Sequence, residues 1–233
     1  MAKLILVEGI PGSGKSTTAK KIEQLLKAQD IHTRCFQEGD LHPCDLAWHA
    51  CVPLPVYKEL LRDYHEHKNV LAQYALVEEE YVYVTYGKLG LLPDHPLFIK
   101  LVSYEPYNGK VSLEQFKTLH FARWKKFGDQ NHKDTTYIFE CAYLQNHVVE
   151  LILTYQQNHD YITTYMKELI ETVQSLEPLL IYLSPTDIAW TINHAASERR
   201  TDYPEIWNDW IDDVIAYLEN SNYGKANKIT GIA

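Results

Sequence analysis

Eight residues near the start of the chain, Gly9-Ile-Pro-Gly-Ser-Gly14-Lys15-Ser16, match the spacing G-x-x-x-x-G-K-[ST]. Glycines at these positions let successive backbone N–H groups close around a phosphate, and the start of the following helix adds positive potential. The Lys15 ammonium then reaches the β and γ phosphates of a nucleotide, and the Ser16 hydroxyl ligates Mg²⁺. The chemistry implied is phosphate binding by Gly9, Pro11, Gly12, Ser13, Gly14, Lys15, Ser16 and Thr17, with ATP and Mg²⁺ as the expected cofactors. Glycine is otherwise scarce, ten residues in 233, so three within six positions is a local concentration.

Such a loop works only between a strand that ends beneath it and a helix that begins at the phosphate. Leu4 to Val7 is an apolar run suited to a strand buried on both faces. Lys15 to Gln29 keeps Ala19, Ile22, Leu25 and Leu26 at helical spacing and leaves Lys20, Lys21 and Lys27 to solvent. A second strand at about His32 to Gln37 completes a βαβ unit. Thr135 to Glu140 predicts a third strand, and Ile162 to Val173 a helix ending near Pro178. Leu179 to Leu183 predicts a fourth strand. Ser184-Pro-Thr-Asp187 then reads as a helix start with Ser184 at the cap, and a last helix follows Pro204. Lys228 to Ile232 offers a weak fifth strand.

Between the second and third strands, residues 41–133 are too long for an ordinary connection. They read as a mainly helical, substrate-side insertion, punctuated by Pro53, Pro55, Gly87, Gly90, Pro93, Pro96 and Asn108-Gly109. The expected fold is therefore a single α/β domain over 1–233. It has a mainly parallel sheet of four to five strands and a helical insertion between strands 2 and 3.

The net charge of -9 argues against a general nucleic-acid binder, because phosphate-backbone affinity needs spread Lys and Arg. Positive charge is instead local. Residues 1–29 carry five lysines against two glutamates, and residues 105–133 carry six basic residues against three acids. No apolar run approaches the ~20 residues that span a bilayer. Cys35, Cys44, Cys51 and Cys141 show neither a zinc pattern nor a disulfide framework. The expectation is a cytoplasmic protein with a small-molecule partner, no nucleic-acid polymer and no membrane, with a homodimer left open.

The stretch "VEGIPGSGKSTTAKKI", the acidic strand end "FQEGD" and the late segment "LLIYLSPTDIAWTINHAASERR" together resemble the P-loop NTPases. More narrowly, they resemble the thymidylate-kinase-like kinases of nucleosides, nucleotides and small metabolites. The resemblance implies the three-layer P-loop NTPase fold and a Walker B acid at Glu140, holding Mg²⁺ through water. It implies an acceptor-side acid at Asp40 or Glu38 and a substrate-side arginine at Arg123. It also implies a lid-like segment at 184–203 whose Arg199 and Arg200 close over the nucleotide phosphates. Each of these has a plainer reading: Asp40 as a helix cap, Arg123 as part of a solvated basic face, and the two arginines as charges complementing a helix dipole.

The tyrosines of the insertion, Tyr74, Tyr81, Tyr83, Tyr86, Tyr104 and Tyr107, fit a core better than a base-stacking site. His65 and His67 are two apart and point to different helix faces, which argues against a metal pair. The function implied is transfer of the γ-phosphoryl of ATP to a nucleoside, nucleotide or other small hydroxylated acceptor. The alternatives are a nucleotide-binding regulatory protein that uses the loop as a switch, and a toxin-like kinase of a sugar nucleotide. ATP and GTP are not distinguished by these residues.

Overall fold

The computed structural model describes residues 3–78, 80–130, 134–200 and 209–220. The chain forms two compact units, one made of residues 1–35 and 132–233, the other of residues 36–131. It begins with β1 (Leu4–Gly9), α1 (Lys15–Lys27) and β2 (Thr33–Phe36). The second unit follows with β3 (His49–Pro53), α2 (Leu54–Asp63), α3 (Lys68–Gln73), β4 (Ala75–Val77), β5 (Tyr81–Thr85), α4 (Pro96–Val102) and α5 (Leu113–Gly128). The first unit then resumes with β6 (Thr136–Glu140), α6 (Gln145–Val149), α7 (His159–Glu171), β7 (Leu179–Leu183), α8 (Ile188–Glu198) and α9 (Trp210–Asn220).

In the first unit the four strands form a parallel sheet in the order β2-β6-β1-β7. Register runs from Leu4↔Tyr137 to Val7↔Glu140 on one side of β1 and from Ile5↔Leu179 to Gly9↔Leu183 on the other. All six residues of β1 are buried, as expected of a central parallel strand covered on both faces. Ile5, Val7, Ala19 and Ile138 form a core with Ile22, Leu26, Ile181 and Leu183 packed against it. Each large apolar side chain buried this way contributes ~1.5–3 kcal/mol. In consequence the carboxyl ends of β1, β6 and β7 lie side by side, where open α/β sheets bind their ligands.

β7 occupies the sheet edge, and Leu179, Leu180 and Tyr182 are exposed there. The strand expected from this apolar run is present with the expected bounds. α8 begins later than expected: Asp187, not Ser184, is its cap, accepting the Trp190 N–H at 2.9 Å. The fifth strand expected at Lys228 to Ile232, and residues 201–203 of the lid-like segment, lie outside the described residues.

The second unit departs from the expectation of a helical insertion. It carries a three-stranded antiparallel sheet, β3-β5-β4, beside its helices. Ala50, Val52, Val82 and Val84 from this sheet bury against Tyr57, Leu60, Leu71, Leu97, Phe98 and Leu101 from the helices. The strands have three to five residues. At that length apolar alternation cannot be told from a short helical face. Ser112 caps α5 by accepting the Gln115 N–H at 3.2 Å. Tyr83, Tyr86 and Tyr107 are buried, so this part of the tyrosine set belongs to the core. Among the described residues no helix is long and apolar enough to cross a membrane.

Candidate nucleotide site

The glycine loop joins β1 to α1, and its backbone requires glycine. Gly12 has φ +80°, and a Cβ there would stand 2.8 Å from the Thr191 carbonyl oxygen and 3.0 Å from the Ala195 Cβ. Gly9 has φ +152°, and a Cβ would meet the Leu183 carbonyl and the Ser13 Oγ at 2.6 Å each. The loop is thus pressed against β7 on one side and α8 on the other. Ser13 N–H donates to the Ile10 carbonyl at 3.2 Å and tightens the turn.

Lys15 opens α1 and is only 5% exposed. Its ammonium donates to the Ile10 carbonyl at 3.0 Å and to Gln145 Oε1 at 2.8 Å. Both of these acceptors are neutral, so neither hydrogen bond is made to a carboxylate that a phosphate would have to displace. Ser13 Oγ is buried with no hydrogen-bond partner, an arrangement that buried polar atoms avoid unless a ligand or a water completes it. Ser16 and Thr17 are exposed at the start of α1, leaving the Ser16 hydroxyl open to a cation. These features fit a nucleotide phosphate with Mg²⁺.

Glu140 ends β6 in register with Val7 and is 4% exposed. Parallel pairing therefore carries this acid to the strand ends flanking the loop. The next residue, Cys141, adopts φ +69° and donates its N–H to the Val7 carbonyl at 3.1 Å. That turn directs the following backbone amides toward Glu8. The Glu8 carboxylate, fully buried, accepts the Tyr143 N–H at 2.7 Å and the Gln145 N–H at 3.1 Å. Burial pushes its carboxyl up to about 7, against the opposing pull of the Tyr143, Gln145 and Leu144 amides and the Lys15 charge.

Glu8 and Gln145 are the residues that sequence reasoning missed. The signal for Glu8 was present, as an acid at the end of an otherwise apolar strand. Gln145 carried none, because its place depends on a turn of positive φ.

The remaining expected residues fall as follows. Arg199 sits at the C-terminal end of α8. Arg200 donates to Asp209 Oδ2 at 2.6 Å and to Asp212 Oδ2 at 3.4 Å, so acids already engage it. Glu38, Asp40 and Arg123 belong to the second unit. Asp40 Oδ2 accepts the Gln37 N–H at 2.9 Å and Oδ1 pairs with Lys88 at 3.0 Å. It thus closes the turn that holds Glu38 rather than capping a helix. Arg123 is not on a solvated face. It is 3% exposed, donates to Glu78 at 3.0 Å and to the His42 carbonyl at 2.9 Å, and lies 4.0 Å over the Tyr83 ring.

Comparison with known proteins agrees with the loop. Residues 1–50 match the model of a family described as chromatin associated protein KTI12, a P-loop NTPase-related family. The matched stretch contains β1, the glycine loop, α1, β2 and the turn bearing Glu38 and Asp40. No curated protein matches the chain. The parallel sheet, the loop geometry and this match are together consistent with a P-loop nucleotide-binding protein.

Proposed function

We propose that this chain is a P-loop kinase that transfers the γ-phosphoryl of ATP to a nucleoside, a nucleotide or another small hydroxylated acceptor. The observation that carries the reading is the buried Lys15 ammonium beside an unpartnered Ser13 Oγ in a loop where Gly12 admits no Cβ. Phosphoryl transfer asks little covalent chemistry of a protein; it needs positioning and countercharge. Lys15 would hold the β and γ phosphates, and Ser16 the Mg²⁺, with Glu140 as its water-mediated partner. The bound metal would supply charge neutralisation on the migrating phosphoryl. Arg199 and Arg200 would close on the phosphates, Arg200 leaving Asp209 and Asp212 to do so. Asp40 would accept the acceptor's hydroxyl proton after leaving Lys88, with Glu38 beside it.

The test is transfer of label from γ-labelled ATP to a panel of nucleosides, nucleotides, sugars and sugar nucleotides. Labelled product that disappears in Asp40→Asn is the expected result. No labelled product from any acceptor, with nucleotide turnover unchanged in Asp40→Asn, overturns it.

A second reading is a nucleotide-dependent switch that binds a protein partner. The matched family is described by chromatin association rather than by a small acceptor. β7 and α8 also expose Leu179, Tyr182, Ile188 and Trp190. Tight ATP binding without turnover in the presence of any acceptor would select this reading.

A further inference from the structure

Gln145 is held at both ends. Its backbone N–H is fixed by Glu8 Oε2 at 3.1 Å, and its side-chain Oε1 accepts from the Lys15 ammonium at 2.8 Å. Glu8 spends one oxygen on Tyr143 N–H and the other on Gln145 N–H. The carboxylate therefore anchors Gln145. What meets the lysine from this side is a neutral amide.

That choice of group has consequences. A neutral acceptor gives up an ammonium to phosphate readily, because the new bond adds the attraction of a full opposite charge. Once released, the same amide still carries two N–H donors on Nε2 that a phosphate oxygen can accept. A carboxylate in this position would hold Lys15 and repel the ligand. An aliphatic side chain would free Lys15 and offer the ligand nothing.

We infer that Gln145 senses the terminal phosphate directly: its side chain leaves Lys15 when a nucleotide binds and donates to the γ-phosphate of a triphosphate. Glu8 is the anchor that keeps the amide within reach. This inference rests on the P-loop reading above and adds a discrimination between triphosphate and diphosphate.

The test compares Mg-ADP with the non-hydrolysable β,γ-imido analogue of ATP, titrated by calorimetry into the full chain and its variants. Gln145→Leu should leave the ADP affinity within about threefold and weaken the imido analogue by about tenfold, the loss of one hydrogen bond to a charged group. Gln145→Glu should weaken both nucleotides. Gln145→Asn keeps the amide but shortens it, and should fall between wild type and Gln145→Leu; it serves as the test if Gln145→Leu does not fold.

A merely structural Gln145 would shift both affinities together. An unchanged ratio of the two affinities in Gln145→Leu, or in Gln145→Asn where that is the folded variant, overturns the inference and leaves the P-loop reading intact. Wild-type protein that binds neither nucleotide overturns both.

Discussion

Both compact units bury charge, and they do so in opposite ways. In the first, Glu8, Lys15 and Glu140 are buried at the carboxyl ends of parallel strands. Glu8 and Lys15 are satisfied largely by loop backbone, and Ser13 Oγ is left without a partner. In the second, buried polar side chains are tied to one another and to backbone carbonyls, with Arg123 Nε left without a partner. His49 Nδ1 donates to the Ala47 carbonyl at 2.7 Å, and His120 Nδ1 donates to the Phe116 carbonyl at 2.9 Å. Tyr107 donates its hydroxyl to Asp45 at 3.0 Å and lies 3.1 Å from His120 Nε2. Arg123 is closed in by Glu78, Tyr83 and His42. A buried charge is therefore not by itself a site: one arrangement is built to receive an anion, and the other is a scaffold whose polar groups hold it together.

Removing the cation of the scaffold should have the largest effect. Arg123→Ala leaves the His42 carbonyl without its donor and empties the face of Tyr83, while Glu78 keeps Lys126 at 3.0 Å. A cost of about 3 kcal/mol is expected, the low end for breaking a buried pair. Urea denaturation followed by hydrogen exchange should show it in residues 36–131. A loss of phosphoryl transfer without loss of stability would instead return Arg123 to the substrate side.

The units should also titrate in opposite directions. Glu8 stands at about 7 when folded, above its ordinary 4.5. Its contribution is therefore complete below pH 4.5 and is lost as pH rises through 7, about 3 kcal/mol at 1.36 kcal/mol per unit. Burial holds His49 down at about 4 and His120 at about 3, from 6.5. Their contribution is present above 6.5 and lost as pH falls through those values. In urea midpoints measured across pH, Glu8→Gln should flatten the alkaline arm and leave the acid arm. His49→Gln should do the reverse.

Room for a side chain, rather than backbone φ, separates Gly12 from Gly14. Gly12→Ala forces a positive φ and a Cβ onto the Thr191 carbonyl, and should cost ~1–3 kcal/mol and weaken nucleotide binding. Gly14→Ala, with φ +89° and nothing within 4 Å, should cost only the left-handed conformation, ~1–2 kcal/mol. Equal thermal shifts in the two variants would contradict the packing of α8 on the loop. The smallest effect is expected at Ser112→Ala, ~1 kcal/mol for a lost α5 cap and confined to the second unit.

Legibility in the sequence followed the same division. β1, the glycine loop, α1, β6 and β7 are carried by local patterns, an apolar run or a glycine spacing, and the structure has them where those patterns place them. Glu140 could be found because a strand exit is a local feature. Gln145 could not, since its position follows from Cys141 turning at positive φ and from Glu8 lying on a different strand. The sheet of the second unit was hidden because its three strands are short and pair with partners from elsewhere in the chain. Arg123 looked like part of a basic helix face beside Lys125 and Lys126; only tertiary packing buries it while leaving its neighbours in solvent.

The central claim is that the loop built around Lys15 takes a nucleoside triphosphate. Calorimetric titration of Mg-ATP into the wild-type chain and Lys15→Ala tests it most directly. The account predicts saturable binding at one site, weakened by about a hundredfold in Lys15→Ala as the charged contacts to phosphate are lost. No binding by the wild-type chain, or equal affinity in the variant, would contradict it.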